Sequence, residues 1–198
     1  MRAVSAFEAA PKSHGLDQTD LEPAMRQLED FTTDHPESPL VPTAKDRLLQ
    51  GKTRLARKYF DAATVYVRLE SYQAASIYFQ RVIDDYIDTE YGPKATYMIA
   101  EGEFKQGHFD VARDKFTIFT RVFPQHPWVV KARQRAAEAA YQSGVAAFES
   151  GDHDRARERF QSFVSDFPDN PRVKNAQTYL ARLKDLSGGK PQTGKAGS

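Results

Sequence analysis

The sequence predicts an all-α chain built from stacked helical hairpins, and three observations predict it. A set made of Ala, a bulky residue four later and another three after that recurs as Ala75, Phe79, Val82, as Ala112, Phe116, Phe119 and as Ala156, Phe160, Phe163. A fainter copy is Ala24, Leu28, Phe31. Spacings of four and three put each set on one helical face. Prolines follow at Pro36, Pro124 and Pro168, where a helix must stop because proline has no N–H to continue the ladder. The third observation is the drift in repeat length: the four alanines are separated by 51, 37 and 44 residues, lengths that differ by sevens. Seven residues are close to two helical turns, so a helix can lengthen by that step while its buried stripe faces nearly the same way.

Taken in order, second helices are expected near 22–35, 72–87, 109–123 and 153–167. Each small Ala admits a neighbouring helix and the large residues fill the space beyond it. Long first helices are expected from Leu40 to Glu70 and Pro127 to Ser150, with a shorter one from Pro93 to Gln106. Ser38-Pro39 and Asn170-Pro171 read as an N-cap followed by Pro at the first helical position, with Pro42 as a competing start signal for the first of them. Lys105-Gln106-Gly107 and Glu149-Ser150-Gly151 read as helix ends on glycine, and Asp110 and Asp154 stand near the positive start of the next helix. A last helix over 171–186, with Val173, Ala176, Leu180 and Leu183 on one side, covers the final repeat as a cap. Pro11 to Asp20 reads as a loop after a short amino-terminal helix, 187–198 as a disordered tail, and 1–186 as one solenoid. The helix-turn-helix unit resembles the tetratricopeptide repeat. The predicted fold class is therefore an all-α, tetratricopeptide-like α-α solenoid with long first helices and a carboxyl-terminal capping helix.

The composition bounds function. With 198 residues, 40% apolar and 12% aromatic, the chain can bury a continuous core. Lys and Arg total 28 against 27 Asp and Glu, which leaves no broad field for nucleic acid or an anionic membrane. Zero Cys excludes disulfides, thiolate metal sites and thiol catalysis, and it leaves the compartment open. Met1 to Ala10 is too short and polar for a secretory core, so no export signal is expected in the chain as written.

Catalytic signals are absent too. His14, His35, His108, His126 and His153 fall at predicted loops or helix junctions without the spacing of metal ligands. There is no GxGxxG, Walker loop or GxSxG. Asp84 and Asp85 are adjacent on a helix, so their carboxylates point about 100° apart, and they read as a solvated edge. These readings point to binding rather than catalysis, with no cofactor and no metal.

Binding candidates are the first-helix residues that line the concave surface in such architectures. Phe60, Tyr97 and Tyr141 occupy equivalent positions, and so do Val67, Phe104 and Phe148. Arg57, Arg68, Lys94, Lys105, Glu101 and Glu149 flank them. These aromatics have two readings, as groove contacts or as packing between neighbouring helices. The junctions Tyr86 to Pro93 and Phe123 to Trp128 form a second candidate surface. Trp128 reads equally as an interface anchor and as a staple between repeats.

The run Arg54 to Trp128, including LARKYFDAATVYVRLESYQAASIYFQRVIDDYIDTEYGPKATYMIAEGEFKQGHFDVA, resembles the carboxyl-terminal repeats of the BamD family, the outer-membrane lipoproteins of the β-barrel assembly machinery. Pro11 to Asp20 is similar to that family's inserted loop, Pro36 to Ala44 to its PxSxxxxxA-type turn, and Ala44 to Glu70 to its long helix carrying Leu55-Ala56 and Phe60. The resemblance covers about Ser5 to Trp128.

It implies a periplasmic solenoid at the outer membrane that works by binding, without a cofactor. The implied partners are the periplasmic domain of the barrel-forming subunit and other assembly lipoproteins. In that family the first repeats receive unfolded barrel substrates. This chain as written lacks those repeats, the signal peptide and the acylated Cys, and it continues past the family's common end with another repeat, Ala140 to Pro171. The alternative reading is a generic tetratricopeptide scaffold or adaptor of the envelope or cytoplasm.

Overall fold

The structure, a computed structural model, describes residues 21–188. The expected loop Pro11 to Asp20, the short helix before it and nearly all of the 187–198 tail lie outside the described residues. Within them stand α1 (Leu21–Asp34), α2 (Val41–Arg68), α3 (Tyr72–Tyr86), α4 (Tyr91–Lys105), α5 (Phe109–Val122), α6 (Val129–Glu149), α7 (His153–Asp166) and α8 (Val173–Gly188). The fold class is the all-α, tetratricopeptide-like one that the sequence predicts. None of the described helices is long and apolar enough to cross a membrane. By its internal packing the chain divides at Gln106–Gly107 into two compact units.

In the first unit α2 packs against α1 and α3, α3 packs against α4, and α2 also touches α4. One core joins Leu21, Ala24 and Leu28 of α1 to Leu55, Ala56 and Ala63 of α2, to Ala75, Phe79 and Val82 of α3 and to Ala95 of α4. The predicted set Ala75, Phe79, Val82 is fully buried, and each such bulky side chain contributes about 1.5–3 kcal/mol. At 28 residues and about 42 Å, α2 is long enough to serve two neighbours in turn. Lys52, near its middle, reaches Asp88 at 3.2 Å and Glu29 at 4.0 Å. Two tyrosine stacks, Tyr59 on Tyr86 at 6.0 Å and Tyr66 on Tyr78 at 5.2 Å, join α2 to α3.

The second unit repeats the arrangement, with α5 and α7 on α6 and α8 on α7. Ala156, Phe160 and Phe163 are fully buried, as are Ala112, Phe116 and Phe119. Tyr179 of the capping helix stacks on Phe160 at 4.7 Å. Opposite Phe160 stands Gly144 of α6, where an added Cβ would lie 2.7 Å from the ring. Asp110 ties three helices together. Its carboxylate accepts from Ser143 Oγ at 2.7 Å and pairs with Arg159 at 2.8 Å and Arg155 at 3.5 Å.

Two helix starts lie later than the sequence reading puts them, while α4 begins at Tyr91, two residues before the expected Pro93. Ser38-Pro39 is not an N-cap pair: α2 begins at Val41 with Leu40 as its N-cap and Pro42 in the first turn. A start at Pro39 would put Pro42 fourth in the helix, where a backbone N–H must donate, so the start slides forward until Pro42 needs no N–H. Asn170-Pro171 is displaced likewise, and α8 begins at Val173.

What Ser38 and Asn170 do instead is begin a tight turn. Leu40 N donates to Ser38 Oγ at 3.3 Å and Val41 N to Ser38 O at 3.0 Å. Arg172 N donates to Asn170 Oδ1 at 2.9 Å and Val173 N to Asn170 O at 3.0 Å. The same pair of bonds forms at Thr89 with Tyr91 and Gly92, and at His126 with Trp128 and Val129. Ser38, Thr89, His126 and Asn170 are separated by 51, 37 and 44 residues, the same spacing as the alanines.

Helix ends are also shared. Gly107 and Gly151 adopt φ of 80°, as their glycine signature predicts, and Glu70 takes the equivalent place with φ of 55°. Ser71 N closes back on Tyr66 O at 2.9 Å and Asp152 N on Ala147 O at 3.0 Å, so both ends are closed by the same six-residue bond. Asp152 then caps α7 by accepting from Arg155 N.

Gly144→Ala is expected to lower stability by about 1–3 kcal/mol in urea unfolding despite alanine's higher helix propensity, because Phe160 is held between α6 and Tyr179 and cannot yield. Thr89→Ala is expected to cost about 1 kcal/mol and Thr89→Ser to restore it, since the buried hydroxyl both accepts from Tyr91 N and donates to Tyr86 O. Tyr86 is pushed up to about 12 by burial first, then by Tyr59, Glu22 and Asp85. An unfolded tyrosine titrates near 10, so the folded state holds this proton more tightly. The contribution is complete below pH ~10 and is lost as the pH rises towards ~12. Thermal melts across that window should show a falling arm that is shallower in Tyr86→Phe.

Candidate protein-binding surfaces

In the first unit the candidate residues lie on α2 and α4, which touch. Arg57 is exposed and pairs with Asp61 at 3.6 Å along its own helix. Phe60 is half-buried, its ring against Phe79 at 5.2 Å and Tyr91 at 5.4 Å. Lys94 pairs with Glu90 at 2.6 Å and lies 4.8 Å over the Tyr91 ring.

Tyr97 requires a correction as a partner contact. It is only 2% exposed, and its hydroxyl donates to Glu101 one turn on at 2.6 Å. Its polar end is satisfied inside the protein, so it serves packing.

At the carboxyl-terminal ends of the two helices the picture changes. Val67 and Phe104 are half-buried, and beside them Arg68 and Lys105 are exposed. Neither Arg68 nor Lys105 forms an ion pair among the described residues. Both stand where the negative end of a helix favours a cation, so holding them there is not unfavourable.

In the second unit Tyr141 is the other correction. It is buried, with Phe160 at 5.9 Å, Phe163 at 5.5 Å and Tyr179 at 6.5 Å around it, and the Arg172 guanidinium 5.0 Å over its ring. Phe148 is half-buried against Tyr179 at 4.9 Å. Of the two readings, groove contact and packing between helices, these contacts with the capping helix are the packing one.

Trp128 is half-buried at the start of α6. Its ring meets His126 edge-on at 5.4 Å, His126 meets Phe119 at 5.5 Å, and Lys131 lies 5.6 Å over the indole. These contacts knit the α5–α6 junction, which is the staple reading of this residue. Sequence reasoning missed two things here. One is the turn-forming role of Thr89 and His126. The other is a groove of about 560 Å³ between α5, α6 and α7, lined by Arg113, Thr117, Arg133, Ala136, Arg159 and Phe167 among others.

Among the described residues no group of three or more His, Cys, Asp or Glu side chains could hold a metal ion. Stacked hairpins that expose apolar and cationic side chains at the ends of parallel helices define a tetratricopeptide scaffold for protein–protein interaction, and a tetratricopeptide-repeat model matches residues 97–171. The chain belongs to the YfiO family of outer membrane lipoproteins, whose model matches residues 1–100, half of its length. No curated protein matches it.

Proposed function

We propose that this chain is a non-catalytic interaction subunit of the complex that assembles β-barrel proteins into the outer membrane, working at the periplasmic face of that membrane. Its partners in this reading are the periplasmic domain of the barrel-forming subunit and other assembly lipoproteins. The observation that carries the reading is membership of the outer membrane lipoprotein family. The α2–α4 face supplies a means. Val67 and Phe104 offer apolar surface, and Arg68 and Lys105 offer two cations to acidic groups of a partner. Arg57, Phe60, Lys94 and Glu101 border the same face.

Detergent extraction of membranes followed by affinity purification of the chain should recover the barrel-forming subunit. Recovery of the chain only in the soluble cytosolic fraction, without that subunit, overturns the reading. Within the complex, Arg68→Glu with Lys105→Glu should weaken partner affinity about tenfold at low salt, with a loss that shrinks as salt is raised, because rim charges act mainly through long-range attraction. Unchanged affinity at every salt concentration would move the contact away from this face.

A further inference from the structure

The stretch of α5 and α6 beside the groove has a charge pattern that the fold does not require. Residues 115–137 contain Lys115, Arg121, Lys131, Arg133 and Arg135 and no Asp or Glu. Three of these cations fall in the first two turns of α6, which has no acidic residue in its first turn. Backbone N–H groups make that end of a helix positive, so the placement opposes the helix rather than supporting it. Residues that break a local rule are expected at functional or strained positions.

Two of the five cations are used within the unit: Lys131 lies over Trp128 and Arg135 lies 5.8 Å over the Phe116 ring. Arg121 and Arg133 are exposed and make no ion pair among the described residues. Arg133 lines the groove, and Arg121 stands one helical turn from Thr117, which lines it as well.

The remaining charges of the groove are largely committed. Arg113 pairs with Asp114 at 2.9 Å and Arg159 with Asp110 at 2.8 Å. Asp166 stands on the α7 wall, so the cationic lip is the α5–α6 side. Ala136 on the floor leaves room for an entering side chain, Phe167 gives one apolar wall, and Val130, 65% exposed, lies within a turn of Arg133. A concave, partly apolar trough lined by the unpaired Arg133, with Arg121 one helical turn beyond its Thr117, suits an acidic segment of another protein better than a flat lipid surface.

We infer that this trough is a second docking site, one that takes a protein segment in which carboxylates alternate with apolar side chains. Its residues differ from those of the α2–α4 face, so either site can fail without the other.

The probe is a fluorescein-labelled twelve-residue peptide of alternating Glu and Leu, titrated with the full chain and followed by anisotropy, beside the same peptide with Gln for Glu. The Glu peptide should bind at least tenfold more tightly at low salt. Arg121→Glu with Arg133→Glu should remove that preference, while Arg68→Glu with Lys105→Glu should leave it intact. Should the double charge reversal unfold the chain in circular dichroism, Arg121→Gln with Arg133→Gln takes its place and should reduce the preference at least threefold. Equal binding of both peptides, or full binding by the folded variant, overturns the proposal. So does co-sedimentation with phosphatidylglycerol-containing vesicles that depends on Arg121 and Arg133 while the Glu peptide does not compete, because the surface would then be a membrane contact.

Discussion

Close approach between a small residue on one helix and an aromatic ring on the next is the constraint on which the rest of this structure depends. Gly144 against Phe160 shows it directly, since there is no room for a Cβ. Ala63 and Ala100 stand at the equivalent places on α2 and α4, and both are fully buried. Close contact of this kind fixes the distance between helices and lets rings such as Tyr141, Phe163 and Tyr179 fill the remaining volume to the density of a protein interior. It also leaves the outward faces of the helices little part in folding. Charge on those faces is then available for recognition, whereas the buried aromatics are taken up by packing.

The helix positions were legible because they follow from periodicity: α3, α5 and α7 begin and end within a residue of the reading from the Ala and bulky-residue sets. Glycine signalled the ends at Gly107 and Gly151. At Glu70 the same backbone conformation is imposed on a residue that does not announce it, so composition alone misses it. The junction turns were illegible for a related reason. Ser, Thr, His and Asn each present an acceptor at the right distance from the backbone, and four residue types doing one job leave no sequence pattern. Only their spacing betrays them, once the structure has shown what to measure.

The candidate surface was legible in part. Equivalent positions such as Phe60, Tyr97 and Tyr141 are visible in a sequence, but whether such a position meets a partner or a neighbouring helix depends on what covers it. Tyr141 shows the difference: α8 was foreseen as a cap, yet the reach of Tyr179 across Phe160 and Tyr141 depends on the angle at which α8 docks. The trough on the second unit escaped notice because its cations are scattered among apolar residues on two helices. No run of Lys or Arg marks it, and the near-zero net charge of the chain conceals it.

The lengths of the first helices, 28, 15 and 21 residues for α2, α4 and α6, were introduced as a matter of register. They bear on mechanics as well. α2 holds α1 along its amino-terminal half and α3 along its carboxyl-terminal half, with Lys52 linked to both sides between them. Through its side-chain contacts, α2 links α1 to the core around Phe79 by one unbroken hydrogen-bonded rod. In a scaffold for protein–protein interaction such a helix works as a strut, and its extra turns lengthen the path over which load is shared.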